Sequence, residues 1–199
     1  GVDEGPVHGD RANRIAFALR DHLARAAIPA AGPDLSGVLR HLIVRTSADE
    51  SDAAAMLVVT RNDKRLRTPI RQFLASPVAP TSFLIHEHDQ PGPYMTGGRT
   101  TRISGPGRVR ERLLGPTFLV SADSFFQTNV LAARHLAEIV VRNVKEAGGR
   151  RALDLYCGSG LFSIPLALGG LIVTGIEENR QAVRDAQENI RINRVPGGR

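Results

Sequence analysis

The segment that most limits what this chain can fold into runs from Ala152 to Glu177. ALDLYCGSGLF at Ala152–Phe162 is an apolar strand running into a glycine-bearing turn and the start of a helix. LIVTGIE at Leu171–Glu177 is a second apolar strand with a carboxylate at its tip, and Glu177 follows Gly160 by 17 residues. Strand, glycine turn, helix, strand and acid in this order describe the nucleotide end of a doubly wound α/β domain. There the turn glycines let a ligand approach the backbone, and the acid takes ribose hydroxyls. Gly158 and Gly160 supply the turn and Glu177 the acid; an ordinary structural turn is the competing reading of the glycine pair.

A dinucleotide fingerprint needs a third glycine three residues after the second, and Ser163 stands there. The cradle for a pyrophosphate is therefore incomplete. S-adenosyl-L-methionine needs none, because it presents a ribose, an adenine and a sulfonium cation, and it is the ligand these residues favour.

Around this unit the pattern divides the chain in two. Asp10 is placed to cap a helix reaching about Ala26, with Ile15, Leu19 and Leu23 on one stripe. Strand-like runs follow at 38–46, 54–60 and 82–88, read as neighbours in one sheet, then shorter ones at 100–104, 108–113 and 117–120. From Asn129 a long helix is expected to about Ala147, with Leu136, Ile139, Val140 and Val144 facing the core. The strands at 151–156 and 171–176 alternate with helices from about Leu161 and from Arg180 to Asn193, the last capped by Asn179. The fold class is thus α/β. Residues 1–115 form an α+β central domain, and residues 116–199 are the start of a Rossmann-like domain. Two strands do not make a stable open sheet, so further strands are expected beyond Arg199, and the missing initiator methionine at Gly1 also suggests a piece of a longer protein.

The net charge is +6, and Lys64 and Lys145 are the only lysines beside many arginines. That balance suits polyanions. Basic residues gather at Arg61, Lys64, Arg65, Arg67 and Arg71, and again at Arg99, Arg102, Arg108, Arg110 and Arg112. They read equally as phosphate contacts or as a solvated face. No apolar run approaches a membrane span, and no secretory leader precedes the first helix, so a cytoplasmic location is expected. Cys157 is the single cysteine, which excludes an internal disulfide or a cysteine-rich metal site built from this segment alone. His86 and His88 read as surface polar residues rather than metal ligands.

FLVSADSFFQTN at Phe118–Asn129, followed by LDLYCGSGLFSIPLA from Leu153 and GIEEN from Gly175, resembles the S-adenosylmethionine-dependent RNA uracil-5 methyltransferases. GVLRHLIVR at 37–45, and GGRTTRISG with RVRERLLG between Gly97 and Gly115, resemble that family's central domain. The resemblance implies transfer of a methyl group to carbon 5 of a uridine in rRNA or tRNA. It further implies that Gln127 bonds the methionine end of the cofactor, that Tyr156 lines its pocket, and that Glu177 accepts both ribose hydroxyls. Gln127 is alternatively a helix cap, Phe126 and Tyr156 are alternatively core, and Asp154 is expected to order the turn through backbone amides. In relatives the nucleophilic cysteine lies in a downstream Ser-Cys-Asn-Pro loop with a glutamate base. This chain has neither, so no catalytic residue is expected in it. Cys157 sits in the cofactor turn, where a helix N-terminus is able to depress its pKa. A methyltransferase for protein or small molecules, and a non-catalytic RNA-binding module, are the alternatives.

Overall fold

The computed structural model describes Gly5 and residues 8–91 and 97–197. The chain divides into two compact units, Gly1–Val109 and Arg110–Arg199.

The first unit packs helices against a four-stranded sheet. Helix α1 (Asp10–Arg25) buries Ala12, Ile15, Leu19 and Leu23, the stripe its spacing predicts. Its start differs from expectation. Asp10 is the first helical residue, Gly9 holds the cap position without a side chain, and Glu50 accepts from the Arg11 amide at 3.1 Å in its place. A carboxylate from a distant loop thus satisfies a free amide of the first turn, leaving Asp10 to act on the helix dipole alone.

Strand β1 (Leu39–Thr46) pairs antiparallel with β2 (Ala53–Val59), which is buried along its whole length. β2 pairs in parallel with β3 (Ser82–Glu87), and β3 antiparallel with β4 (Arg99–Ser104). A parallel pair needs a crossover. Here a 3-10 turn at Lys64–Leu66 and helix α2 (Arg67–Leu74) supply it. That helix escaped the sequence reading because Pro69 and the surrounding arginines look like a turn. Pro69 lies within the first turn, where no intrahelical N–H is needed. Phe73 and Phe83 meet edge to face at 5.9 Å in the core.

His86 and His88 are not surface residues. Both are buried, with rings stacked at 6.0 Å. β3 lies inside the sheet, so its polar side chains must find internal partners. His86 Nδ1 pairs with the Thr100 hydroxyl at 2.8 Å. Arg40 donates to the His88 carbonyl at 2.7 Å and lies 2.5 Å from His88 Nδ1. A guanidinium has no acceptor, so that ring nitrogen is the accepting partner.

Strand β5 (Arg108–Arg112), which begins in the last residues of the first unit, forms a two-stranded sheet with β6 (Thr117–Ser121); the second unit continues with α3 (Val130–Glu146), β7 (Arg151–Leu155), α4 (Ser163–Leu168), β8 (Ile172–Ile176) and α5 (Arg180–Ile192). β7 and β8 pair in parallel, placing Asp154 opposite Gly175 and Leu155 opposite Ile176. One face of this pair is apolar and open: Leu153, Leu155, Ile172 and Ile176 are all more than half exposed.

Helix α3 turns a different face inward than its large residues suggest. Ala133 and Ala137 are buried, whereas Leu136 and Ile139 are nearly half exposed. Phe118, Phe126, Leu113 and Ile164 already fill that core, and only small side chains fit between them and the helix backbone.

Helix α5 lies along β6 and stands in for a neighbouring strand. Asn193 accepts from the Thr117 amide at 2.9 Å and donates to its carbonyl at 2.7 Å. Asn189 does the same for Leu119, at 2.7 and 3.2 Å. Asp185 takes the Ser121 amide at 2.8 Å and its hydroxyl at 2.7 Å. Four residues of helix rise ~6 Å and two of strand ~6.6 Å, so the two ladders stay in step over these three rungs.

Candidate functional site

The turn after β7 is built on three left-handed residues: Tyr156 (φ 60), Gly158 (φ 56) and Gly160 (φ 93). Glycine takes this conformation freely, while Tyr156 holds it at a cost of about 1–3 kcal/mol. The Cys157 amide donates to the Ile176 carbonyl at 3.0 Å, which continues the parallel ladder one step past the strands. That step brings the tip of β8 beside the turn.

Glu177 joins them. Its Oε2 accepts from the Gly158 amide at 3.0 Å, and its Oε1 accepts from the Asn179 amide at 2.8 Å. Asn179 in turn caps α5 through the Gln181 and Ala182 amides, as its position predicts. Both carboxylate oxygens are therefore fixed by backbone, and each retains a lone pair for another donor. Nothing lies within 4 Å of the place a Cβ would take on Gly158, so the turn backbone is open to a ligand.

Tyr156 is 84% exposed, at the mouth of the turn. Asp154 reaches the Ser163 hydroxyl at 2.5 Å, a side-chain partner rather than the backbone amides expected for it. The residue that breaks the dinucleotide fingerprint thus ties β7 to the first turn of α4. Phe126 is buried, its ring 6.1 Å from that of Phe118, while Phe125 is exposed. Gln127 is exposed on the loop between β6 and α3. Asn129, not Gln127, caps α3, accepting from the Ala132 amide. No hydrogen bond among the described residues joins Gln127 to the turn. Glu178 is exposed, as its position beside Glu177 suggests.

The thiol of Cys157 is not activated. Burial pushes its pKa above the ordinary range, and the neighbouring charges of Asp154 and Glu177 push the same way. This is the reverse of the depressed value a helix N-terminus would give: burial first, then the two carboxylates, disfavours the thiolate. The side chain is packing instead. Its Sγ would stand 2.8 Å from a Cβ on Gly175, so a side chain there would force the thiol to shift.

A residue the sequence did not single out connects these parts. Asn189, fully buried, donates to the Ser159 carbonyl at 3.1 Å as well as pairing with Leu119. It fastens the middle of the glycine turn to β6. The signal was present, since Asp185, Asn189 and Asn193 recur every four residues, but polar residues at that spacing read as a solvated helix face. A cavity of about 700 Å³ runs along β8 between α4 and α5, lined by Cys157, Ser163, Gly175, Glu177, Val183 and Ile190 among others. It excludes Tyr156, Gly158 and Gln127. It takes in Gly160 and Glu177 at the carboxyl end of the strand, where ligands of such folds sit, and runs from there along the strand's flank.

The basic clusters divide likewise. Arg65 is paired with Asp63 at 2.7 Å, and that guanidinium, with the Arg65 amide, holds the Asp63 carboxyl down at about 2. Arg61 donates to the Gly37 carbonyl. Lys64, Arg67 and Arg71 are exposed, and their side chains make no ion pair or hydrogen bond among the described residues.

Comparison with known proteins bears on this arrangement. Residues 109–197 match the family model described as tRNA (Uracil-5-)-methyltransferase. The chain is 30% identical over 192 residues to an uncharacterised RNA methyltransferase of Geobacter sulfurreducens, covering 96% of this chain and 39% of that one. With an uncharacterised RNA methyltransferase of Chlorobaculum tepidum it shares 33% over 184 residues, covering 91% and 38%. Among solved structures it superposes on the tRNA (uracil-54, C5)-methyltransferase of Pyrococcus abyssi, in complex with S-adenosyl-L-homocysteine, with a TM-score of 0.83. That match has 28% identity and covers 98% of this chain and 47% of that one. The chain thus spans under half the length of these relatives. The glycine turn, the tethered acid and these likenesses point the same way: residues 109–197 carry the match to the tRNA (uracil-5-)-methyltransferase family model, and the chain as a whole is similar to RNA methyltransferases.

Proposed function

We propose that the second unit is the S-adenosyl-L-methionine seat of an enzyme that methylates carbon 5 of a uridine in tRNA or rRNA. The observation that carries this reading is the clamp on Glu177, whose two oxygens are held by the Gly158 and Asn179 amides. Such a carboxylate has its orientation set before a ligand arrives and can accept a ribose diol through its remaining lone pairs. Gly158 and Gly160 let the cofactor approach the turn. The exposed ring of Tyr156 offers a face to the adenosyl group or sulfonium, and Gln127 offers the donor and acceptor that an amino acid end requires. Asp154 and Phe126 act one step removed, through Ser163 and through the core beneath the Gln127 loop. The bound cofactor supplies an electrophilic methyl group.

Cys157 is outside the chemistry, because a thiol with a raised pKa inside the cofactor turn is a poor nucleophile. The catalytic cysteine and base are assigned to the parts of the relatives that this chain does not span. No helix among the described residues is long and apolar enough to cross a membrane, and a cytoplasmic location is part of the proposal.

Two titrations on this chain test it. Calorimetry with S-adenosyl-L-homocysteine should give one saturable site, and filter binding to a tRNA transcript should weaken steeply with salt. Cofactor heat with no RNA retention would favour a methyltransferase for another substrate. RNA retention without cofactor heat would leave an RNA-binding module.

A further inference from the structure

We propose that the groove between α2 and β4 in the first unit seats an unpaired nucleotide of the RNA; this deepens the RNA reading above and rests on it. The groove encloses about 600 Å³, within the range of small-molecule sites. Ile70, Leu74 and Ile85 form its floor, and Ile103, 43% exposed, forms its far wall. Arg67 and Arg71 line the α2 side, one helical turn apart and so on the same face.

Charge selects the occupant. Asp63 also lines the groove, but its carboxylate is taken up by Arg65, whereas the side chains of Arg67 and Arg71 have no ion-pair or hydrogen-bond partner among the described residues. Two uncompensated guanidinia beside an apolar trough match a ligand with an anionic backbone and a flat, weakly polar body. An unstacked base with its flanking phosphates is such a ligand; a duplex is not, because its bases are turned inward. Asn62, exposed at the mouth, adds a carboxamide able to donate to and accept from a base edge.

The test compares two labelled stem-loop RNAs, one with an all-uridine loop and one with an abasic loop, by fluorescence anisotropy from about 50 to about 200 mM salt. Arg67→Gln/Arg71→Gln should remove two phosphate contacts, so the loss of affinity across that range should be roughly tenfold smaller than for the unsubstituted chain. A control pair on α1, Arg14→Gln/Arg25→Gln, removes the same charge and should leave the slope near its original value. Ile103→Ser should weaken the uridine loop severalfold and leave the abasic loop unchanged. The groove is ruled out, with RNA binding itself intact, if both arginine pairs behave alike or if Ile103→Ser affects both RNAs equally. Displacement of the RNA by polyglutamate, with the same dependence on Arg67 and Arg71, would reassign the groove to an acidic peptide. Failure of the unsubstituted chain to bind either RNA would remove the RNA reading and the groove together.

Discussion

Glu177→Ala should lower the affinity of the chain for S-adenosyl-L-homocysteine by about a hundredfold or more. Hydrogen bonds to a charged group contribute roughly 1.5–3 kcal/mol each, and the proposal gives Glu177 two of them. Glu177 is only half-buried, which places the effect at the lower end of that range. The substitution also frees the Gly158 and Asn179 amides, so the turn and the start of α5 lose their shared anchor. Glu177→Gln separates the two contributions. It keeps one acceptor oxygen but presents an amide donor to a backbone donor, so its affinity should fall between those of the unsubstituted chain and the alanine variant. Calorimetry reads both, with far-ultraviolet circular dichroism to establish that each variant is folded. An alanine variant within twofold of the original would remove Glu177 from the site.

Asn189→Leu should destabilise the second unit by about 3 kcal/mol or more. The side chain is fully buried and serves the Leu119 amide, the Leu119 carbonyl and the Ser159 carbonyl. Leucine is similar in volume but leaves all three without their partner, at roughly 1–3 kcal/mol for each buried group. Asn193→Ala is the internal comparison. Asn193 is only partly buried, water can replace its bonds to Thr117, and the loss should be near 1 kcal/mol. Urea unfolding of the full chain measures both. Equal midpoints for Asn189→Leu and the unsubstituted chain would mean that the helix-to-strand ladder contributes nothing.

The parts of this fold that could be read from the sequence are those whose causes are local. Apolar runs bounded by glycine gave β7 and β8, the Asn179 cap marked the start of α5, and a carboxylate at a strand tip pointed to Glu177. What escaped is tertiary in origin. α2 was hidden because Pro69 weighs against a helix unless the residue lies in the first turn, which only the crossover between β2 and β3 requires. The inward face of α3 went to Ala133 and Ala137 because the aromatic residues beneath left no room for Leu136. Burial of His86 and His88 depends on Arg40 and Thr100 arriving from other strands. Asn189 is the clearest case: its partner at Leu119 lies 70 residues away, and no local rule distinguishes a buried polar ladder from a wet helix face.

The central claim is that the turn after β7 and the acid at the tip of β8 together hold an adenosyl group. A crystal structure of the chain with S-adenosyl-L-homocysteine tests it most directly. The ribose hydroxyls should lie within hydrogen-bond distance of Glu177, with the ligand against Gly158 and its amino acid end toward Gln127. A ligand along the flank of β8 clear of Glu177, or one that leaves the Glu177 oxygens bonded only to backbone amides, would contradict the account.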